Sequence, residues 1–160
     1  DYNGDILIDN KDIHKIFSND LYKNMSMIQQ NVFMFDDSIK ENIKLFANYS
    51  DEEVLSICNR SGLSNLISRL PNGINSLVGE NGNKLSGGEK QKVAIARLLV
   101  NPNPIILLDE SFSSIDIASS KMILGNLSKL ENTTVIMITH RMQELEDIEY
   151  ETIDILNSNK

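Results

Sequence analysis

Two short apolar runs on either side of a helical stretch limit the fold of this chain more than any other feature. Residues 105–108 (IILL) follow the helix breaker Asn101-Pro102-Asn103-Pro104 and have the length of a buried strand rather than a helix. Residues 133–139 (TTVIMIT) are rich in β-branched side chains, which suit a pleated surface. Between them, 117–130 has a helical pattern. Strand, helix and strand at this spacing predict a right-handed βαβ unit with parallel strands.

The rest of the chain alternates in the same way. Ile6, Leu7 and Ile8 lie between Gly4 and Asn10 and read as a short strand. The stretch from Asp51 reads as a helix with an Asp/Ser start that stops at Gly62. A shorter helix over 64–70 ends before the turn Pro71-Asn72-Gly73. Residues 74–84, with Gly79 and Gly82, read as a loop, and 89–100 as a helix. At 160 residues, with no internal repeat, the chain fits a single domain.

The chemistry is concentrated at four places. The strand ILL ends in two acids, and open α/β sheets bind ligands at the carboxyl ends of their strands. Asp109 is suited to hold Mg²⁺, and Glu110 to polarise a water beside it. In LSGGE (85–89), Ser86 and Glu89 make a capping box, and Gly87 and Gly88 leave the first-turn N–H groups open to a phosphate. His140 follows the second strand. If that strand neighbours the one ending in Asp109, the imidazole emerges at the same edge, where it can contact a terminal phosphate. Gln29 and Gln30 each offer a donor and an acceptor that can bridge a metal and a water, and their chemistry does not separate them. His14 has no comparable setting.

Several classes are excluded or disfavoured. Fifteen Lys and Arg against 23 Asp and Glu give a net charge of −8, which opposes nucleic-acid binding through general charge attraction. The single cysteine, Cys58, permits no internal disulfide and favours a reducing compartment. No apolar run approaches the roughly 20 residues of a membrane span, and the first residues have no signal-peptide pattern. The phosphate-binding pattern G-x-x-x-x-G-K-[ST] does not occur: 82–87 has its glycine spacing but is followed by Gly88 and Glu89. With no initiator Met, the sequence reads as a fragment.

Taken in order, these motifs resemble the nucleotide-binding domain of ABC transporters over roughly residues 4–157. LSGGE resembles the family signature with Glu in place of the commoner Gln, IILLDE its Walker B motif, SSID (113–116) its D-loop and THR (139–141) its switch histidine. Gln30 fits the Q-loop in preference to Gln29, because Phe35 stands five residues on. The resemblance implies an α/β fold with a P-loop NTPase-like core, a parallel sheet and a helical subdomain. It divides the chain into core lobe (1–30), helical subdomain with signature helix (31–100) and core lobe again (101–160).

It also implies ATP and Mg²⁺ as ligands, with Asp109 serving the metal and Glu110 acting as general base. Gln30 would sense the metal and the γ-phosphate, and His140 would contact that phosphate. Ser86, Gly87, Gly88 and Glu89 would reach across a head-to-tail dimer to a second nucleotide-binding domain's ATP, and Asp116 would stand at the interface. SIKENI (38–43) and LPNGINSLVGENG (70–82) are similar to the exporter branch, in which 76–82 touches transmembrane domains. The implied place is then the cytoplasmic face of a membrane. A soluble, non-transport ATPase of the superfamily and an inactive remnant that only dimerises are the alternatives.

Overall fold

The computed structural model describes residues 4–29 and 31–153. Near its start, Asp9 and Asn10 both adopt left-handed backbone torsions (φ 49° and 61°). They close a two-residue turn between β1 (Leu7–Ile8) and β2 (Lys11–Asp12), paired antiparallel with Leu7 opposite Asp12. Two positive φ values in a two-residue loop match the twist of a hairpin. The strand expected over 6–8 is therefore one arm of a hairpin.

The α/β core follows. After α1 (Ser18–Asn24) comes β3 (Met25–Ile28). It is followed by four helices, α2 (Ile39–Lys44), α3 (Asp51–Arg60), α4 (Ser64–Arg69) and α5 (Gly87–Val100). Then come β4 (Ile105–Asp109), α6 (Ile117–Leu127) and β5 (Thr134–Ile138). The three strands form one parallel sheet in the order β3-β4-β5, so β4 and β5 are neighbours across the helix between them, as the sequence pattern predicts. Among the described residues, no helix is long and apolar enough to cross a membrane.

Local sequence accounts for the helix ends. Ser50 and Ser86 each cap a helix and form reciprocal capping boxes with Glu53 and Glu89. Gly62 takes φ 74° just past the end of α3, a conformation a Cβ would oppose. The helix expected to reach Leu130 stops at Leu127. The chain must turn back through 128–133 so that the Thr134 amide can donate to Pro104 O (2.8 Å) and start β5 beside β4.

One sheet face carries Ile28, Ile106 and Leu108, all buried and packed with Ile123, Leu124 and Leu127 of α6 and the apolar residues of α5 in one core. The other face leaves Met27, Ile136 and Ile138 about half exposed. The helical layer is organised by α5, which packs against α2, α3 and β3.

A polar hub fixes α5 to the segment leading into α2. Asn42 is fully buried. Its Oδ1 accepts from the Phe35 amide (2.9 Å) and from Arg97 Nη2 (3.0 Å), while its amide nitrogen donates to Phe35 O and Ser38 O (both 3.0 Å). Arg97 also donates to Asn42 O (2.7 Å) and Phe33 O (2.9 Å), and burial lowers its pKa. Truncating Asn42 strands several of these groups in a dry interior, where each unsatisfied partner is costly. Asn42→Ala is expected to lower stability by about 2–3 kcal/mol with an unchanged denaturant slope, measured by urea unfolding.

Candidate active site

The edge where β4 and β5 end brings together the acids and the histidine singled out by sequence. β4 finishes in Asp109, whose partner in register is Ile138, and the chain leaves β5 through Thr139 into His140. The Glu110 amide donates to Ile138 O (3.1 Å), which carries the pairing one residue past the strand. Glu110 itself has φ 47°, an uncommon conformation for a glutamate that costs roughly 1–2 kcal/mol. With this turn, Glu110 Oε1 lies 3.2 Å from His140 Nε2, both side chains open to solvent. Thr139 Oγ1 accepts from the Arg141 amide (3.0 Å) and braces the turn that presents His140. On the other side, the buried Ser111 hydroxyl donates to Ile28 O (3.1 Å) and ties the same edge to the end of β3.

The signature segment forms a second part. Ser86 Oγ accepts from the Glu89 amide (3.3 Å), and Glu89 Oε2 accepts from the Ser86 amide (2.8 Å). Glu89 also pairs with Arg69. The two glycines differ. Gly87 is exposed, and a Cβ there would meet only Ser114 Oγ at 3.6 Å, an ordinary contact. At Gly88 a Cβ would collide with the Ser114 carbonyl oxygen. Packing within the chain therefore excludes a side chain at Gly88 but not at Gly87. Beside Gly87 lies a cavity of about 530 Å³ lined by Asn31, Lys90, Gln91 and Ser114 among others.

Asp116 caps α6, its Oδ1 accepting from the Ser119 amide (2.8 Å). Lys92 of α5 stands 3.5 Å from its Oδ2 and donates to Ser119 Oγ (2.9 Å). Gln30 lies outside the described residues. Its neighbours Gln29 and Asn31 line a larger cavity of about 600 Å³ with Phe33, Arg97 and Asn101. Three residues that sequence reasoning left without a role also belong here: Gln91 and Ser114, which meet through a hydrogen bond, and Arg141. Of these, Ser114 lies within SSID and Arg141 directly after His140 within THR, whereas Gln91 had no signal.

The donor set suits a particular metal. Asp109 is exposed at the carboxyl end of a parallel strand with Glu110 beside it, and among the described residues no three His, Cys, Asp or Glu side chains converge on one point. Mg²⁺ is held by one or two carboxylates together with water and substrate phosphates. These residues therefore fit Mg²⁺ arriving with a nucleotide, and do not make the multi-ligand cage of a resident metal.

Paired acids and a facing histidine at a parallel α/β edge, with a capped, glycine-led helix start, are features of the nucleotide-binding class of α/β protein. Residues 1–113 match the ABC transporter family, and the chain belongs to that family. It is 38% identical over 158 residues to the multidrug resistance-like ATP-binding protein MdlB of Buchnera aphidicola, covering 98% of this chain and 27% of that protein. It is 37% identical over 147 residues to the ATP-dependent lipid A-core flippase of Haemophilus influenzae, covering 90% of this chain and 25% of the flippase. A bacterial Atm1-family ABC exporter solved with ATP bound superposes with a TM-score of 0.81 at 38% identity, covering 90% of this chain and 26% of that one. The chain thus spans about a quarter of the length of the relatives it matches.

Hydrogen bonds from Ser119, reinforced by the charge of Lys92, hold the Asp116 carboxyl down from 3.8 to about 2 against a smaller desolvation effect. A carboxyl depressed in the folded state contributes stability above about pH 4 and loses it as the pH falls towards 2. The side chain is 63% exposed, so screening keeps this contribution under about 1 kcal/mol. Urea unfolding at pH 6 and at pH 2.5 is expected to show Asp116→Asn less stable than the parent at the higher pH, with the gap narrowing at the lower.

Proposed function

We propose that this chain supplies the Walker B, signature and switch portions of the ATP-hydrolysing motor of an ABC exporter. The observation that carries this reading is the 3.2 Å approach of His140 Nε2 to Glu110 Oε1 at the strand edge where Asp109 ends β4. In this arrangement Glu110 is the general base that takes a proton from the attacking water, and His140 orients Glu110 and the terminal phosphate. Asp109 would hold Mg²⁺, with Gln30 as its further contact. When bound, that ion would neutralise charge on the β- and γ-phosphates. The same reading assigns 1–30 and 101–160 to the core lobe and 31–100 to the helical subdomain.

Ser86, Gly87, Gly88 and Glu89 at the α5 start would reach the ATP of a second nucleotide-binding domain in a head-to-tail dimer, and Asp116 would stand at that interface. Transmembrane domains are the other partner, which places the motor at the cytoplasmic face of a membrane. The names of the relatives, a multidrug resistance-like protein and a flippase, and the Atm1-family exporter neighbour support export over a soluble ATPase. The exposed aromatic group of Phe33, Phe35 and Phe46, with ring centroids 5.1 and 5.8 Å apart, offers an apolar surface to such a partner.

Replacing the base while keeping its shape tests the assignment. In the complete gene product, Glu110→Gln is expected to lower ATP turnover by roughly 10²–10⁴-fold and to leave ATP binding intact, because a positioned base has about that effect. Turnover retained in the variant would overturn the role of Glu110. The 160 residues contain no phosphate-binding loop. Calorimetry of this chain alone with MgATP is therefore expected to show no low-micromolar binding.

A further inference from the structure

The five residues from Ser111 to Ile115 join the catalytic edge to the signature helix, and two side chains outside the predicted site hold them from opposite sides. Phe112 and Ile115 are buried in the core and anchor the loop at both ends. Within it, the Ser113 amide donates to Glu110 O (3.1 Å) and the Ile115 amide to Phe112 O (2.9 Å). That leaves the Ile115 carbonyl and the Ser114 amide to find partners elsewhere, and the Phe112 carbonyl able to accept a second bond. Arg141 Nη1 donates to Phe112 O (2.7 Å) and Ile115 O (2.9 Å), with Ser113 O at 3.5 Å. Its Nη2 lies 2.9 Å from Oε1 of the buried Glu144. From the other side, Gln91 of α5, itself 3% exposed, accepts from the Ser114 amide (3.2 Å). Gly88, one turn earlier on α5, lies directly against the Ser114 carbonyl.

This is a bridge with defined ends. Arg141 is the residue after His140, so its grip ties the backbone that presents His140 to the loop that begins at Glu110. Gln91 and Gly88 tie the same loop to the first turns of α5. A planar guanidinium can bond two carbonyls through one nitrogen and face a carboxylate with the other, which a lysine ammonium does not reproduce. We propose that Arg141 and Gln91 are positioning residues that hold the loop 111–116 between the Glu110–His140 pair of this chain's own site and the signature turn that serves the second domain's. The consequence for turnover rests on the functional reading above, whereas the mechanical link does not.

Two mild variants test it. Arg141→Lys keeps a cation beside Glu144 and loses the fork; Gln91→Leu keeps the size and loses the acceptor. In the 160-residue chain, each is expected to speed amide exchange at Ser114 by about tenfold, the scale of one lost hydrogen bond, while the amides of α3 stay at the parent rate. Exchange at Ser114 that is unchanged, or that rises only together with α3, would overturn the link.

In the complete gene product, each variant is expected to lower kcat by about ten- to a hundredfold with the KM for ATP held within twofold. The double variant should lose no more than the worse single, because both act through one loop. Losses that multiply, or turnover at the parent level, would overturn the positioning role. Glu110→Gln measured alongside separates the two readings. Turnover surviving in that variant sinks the catalytic assignment, while faster Ser114 exchange would still uphold the mechanical link.

Discussion

The pairing of β4 with β5 is the constraint on which the rest of the structure depends. Its register sets Asp109 opposite Ile138, and from that one correspondence the positions of Glu110 and His140 follow. The register is held because Ile106 and Leu108 must both face the core: a slip by one residue would turn them outward and bring half-buried Ile105 and Leu107 inward. β3 on the other side of β4 completes the edge, since the Ser111 hydroxyl reaches the last carbonyl of β3. The geometry of this edge is thus a by-product of hydrophobic burial several residues away.

Electrostatics play a smaller part in the fold than the charge count suggests. Most ion pairs, such as Lys121 with Glu146, lie at the surface, where solvent screening leaves them little net effect. The partly buried cation Arg97 has neutral acceptors, Asn42 and the Phe33 carbonyl, so its position answers to hydrogen-bond geometry. Arg141 combines the two modes, neutral carbonyls on one nitrogen and the buried carboxylate of Glu144 near the other. Both arginines fasten irregular segments to regular ones. The strands and helices carry the folding energy, while the guanidinium groups determine where the loops between them lie.

What could be read from sequence was what depends on near neighbours. The Ser86–Glu89 capping box joins residues three positions apart and was legible in full, as was the βαβ unit with its break at Asn101-Pro102-Asn103-Pro104. The meeting of Glu110 with His140 was legible as a conditional, because it needed only that the two strands be adjacent. β3 was not read as a strand, since Ser26 interrupts its apolar pattern, and the hairpin turn at Asp9 and Asn10 lacks the usual glycine. The Arg97–Asn42 hub and the Gln91–Ser114 bond link residues 55 and 23 positions apart through one or two polar contacts each, and no periodicity announces them. Gln30, chosen over Gln29 by the spacing to Phe35, lies where the structure describes only its neighbours.

The unlike surroundings of the paired glycines bear on how this sequence can drift. Gly88 is fixed by its contact with the Ser114 carbonyl, so the fold demands it whether or not any nucleotide is ever hydrolysed. Gly87 is under no such demand, since a methyl group there would find room. In a lineage that had abandoned ATP turnover but kept the folded chain, the first glycine of the pair would be free to vary while the second persisted. The identity of residue 87, rather than of the pair, is therefore the informative marker of whether selection still acts on catalysis in descendants of this protein.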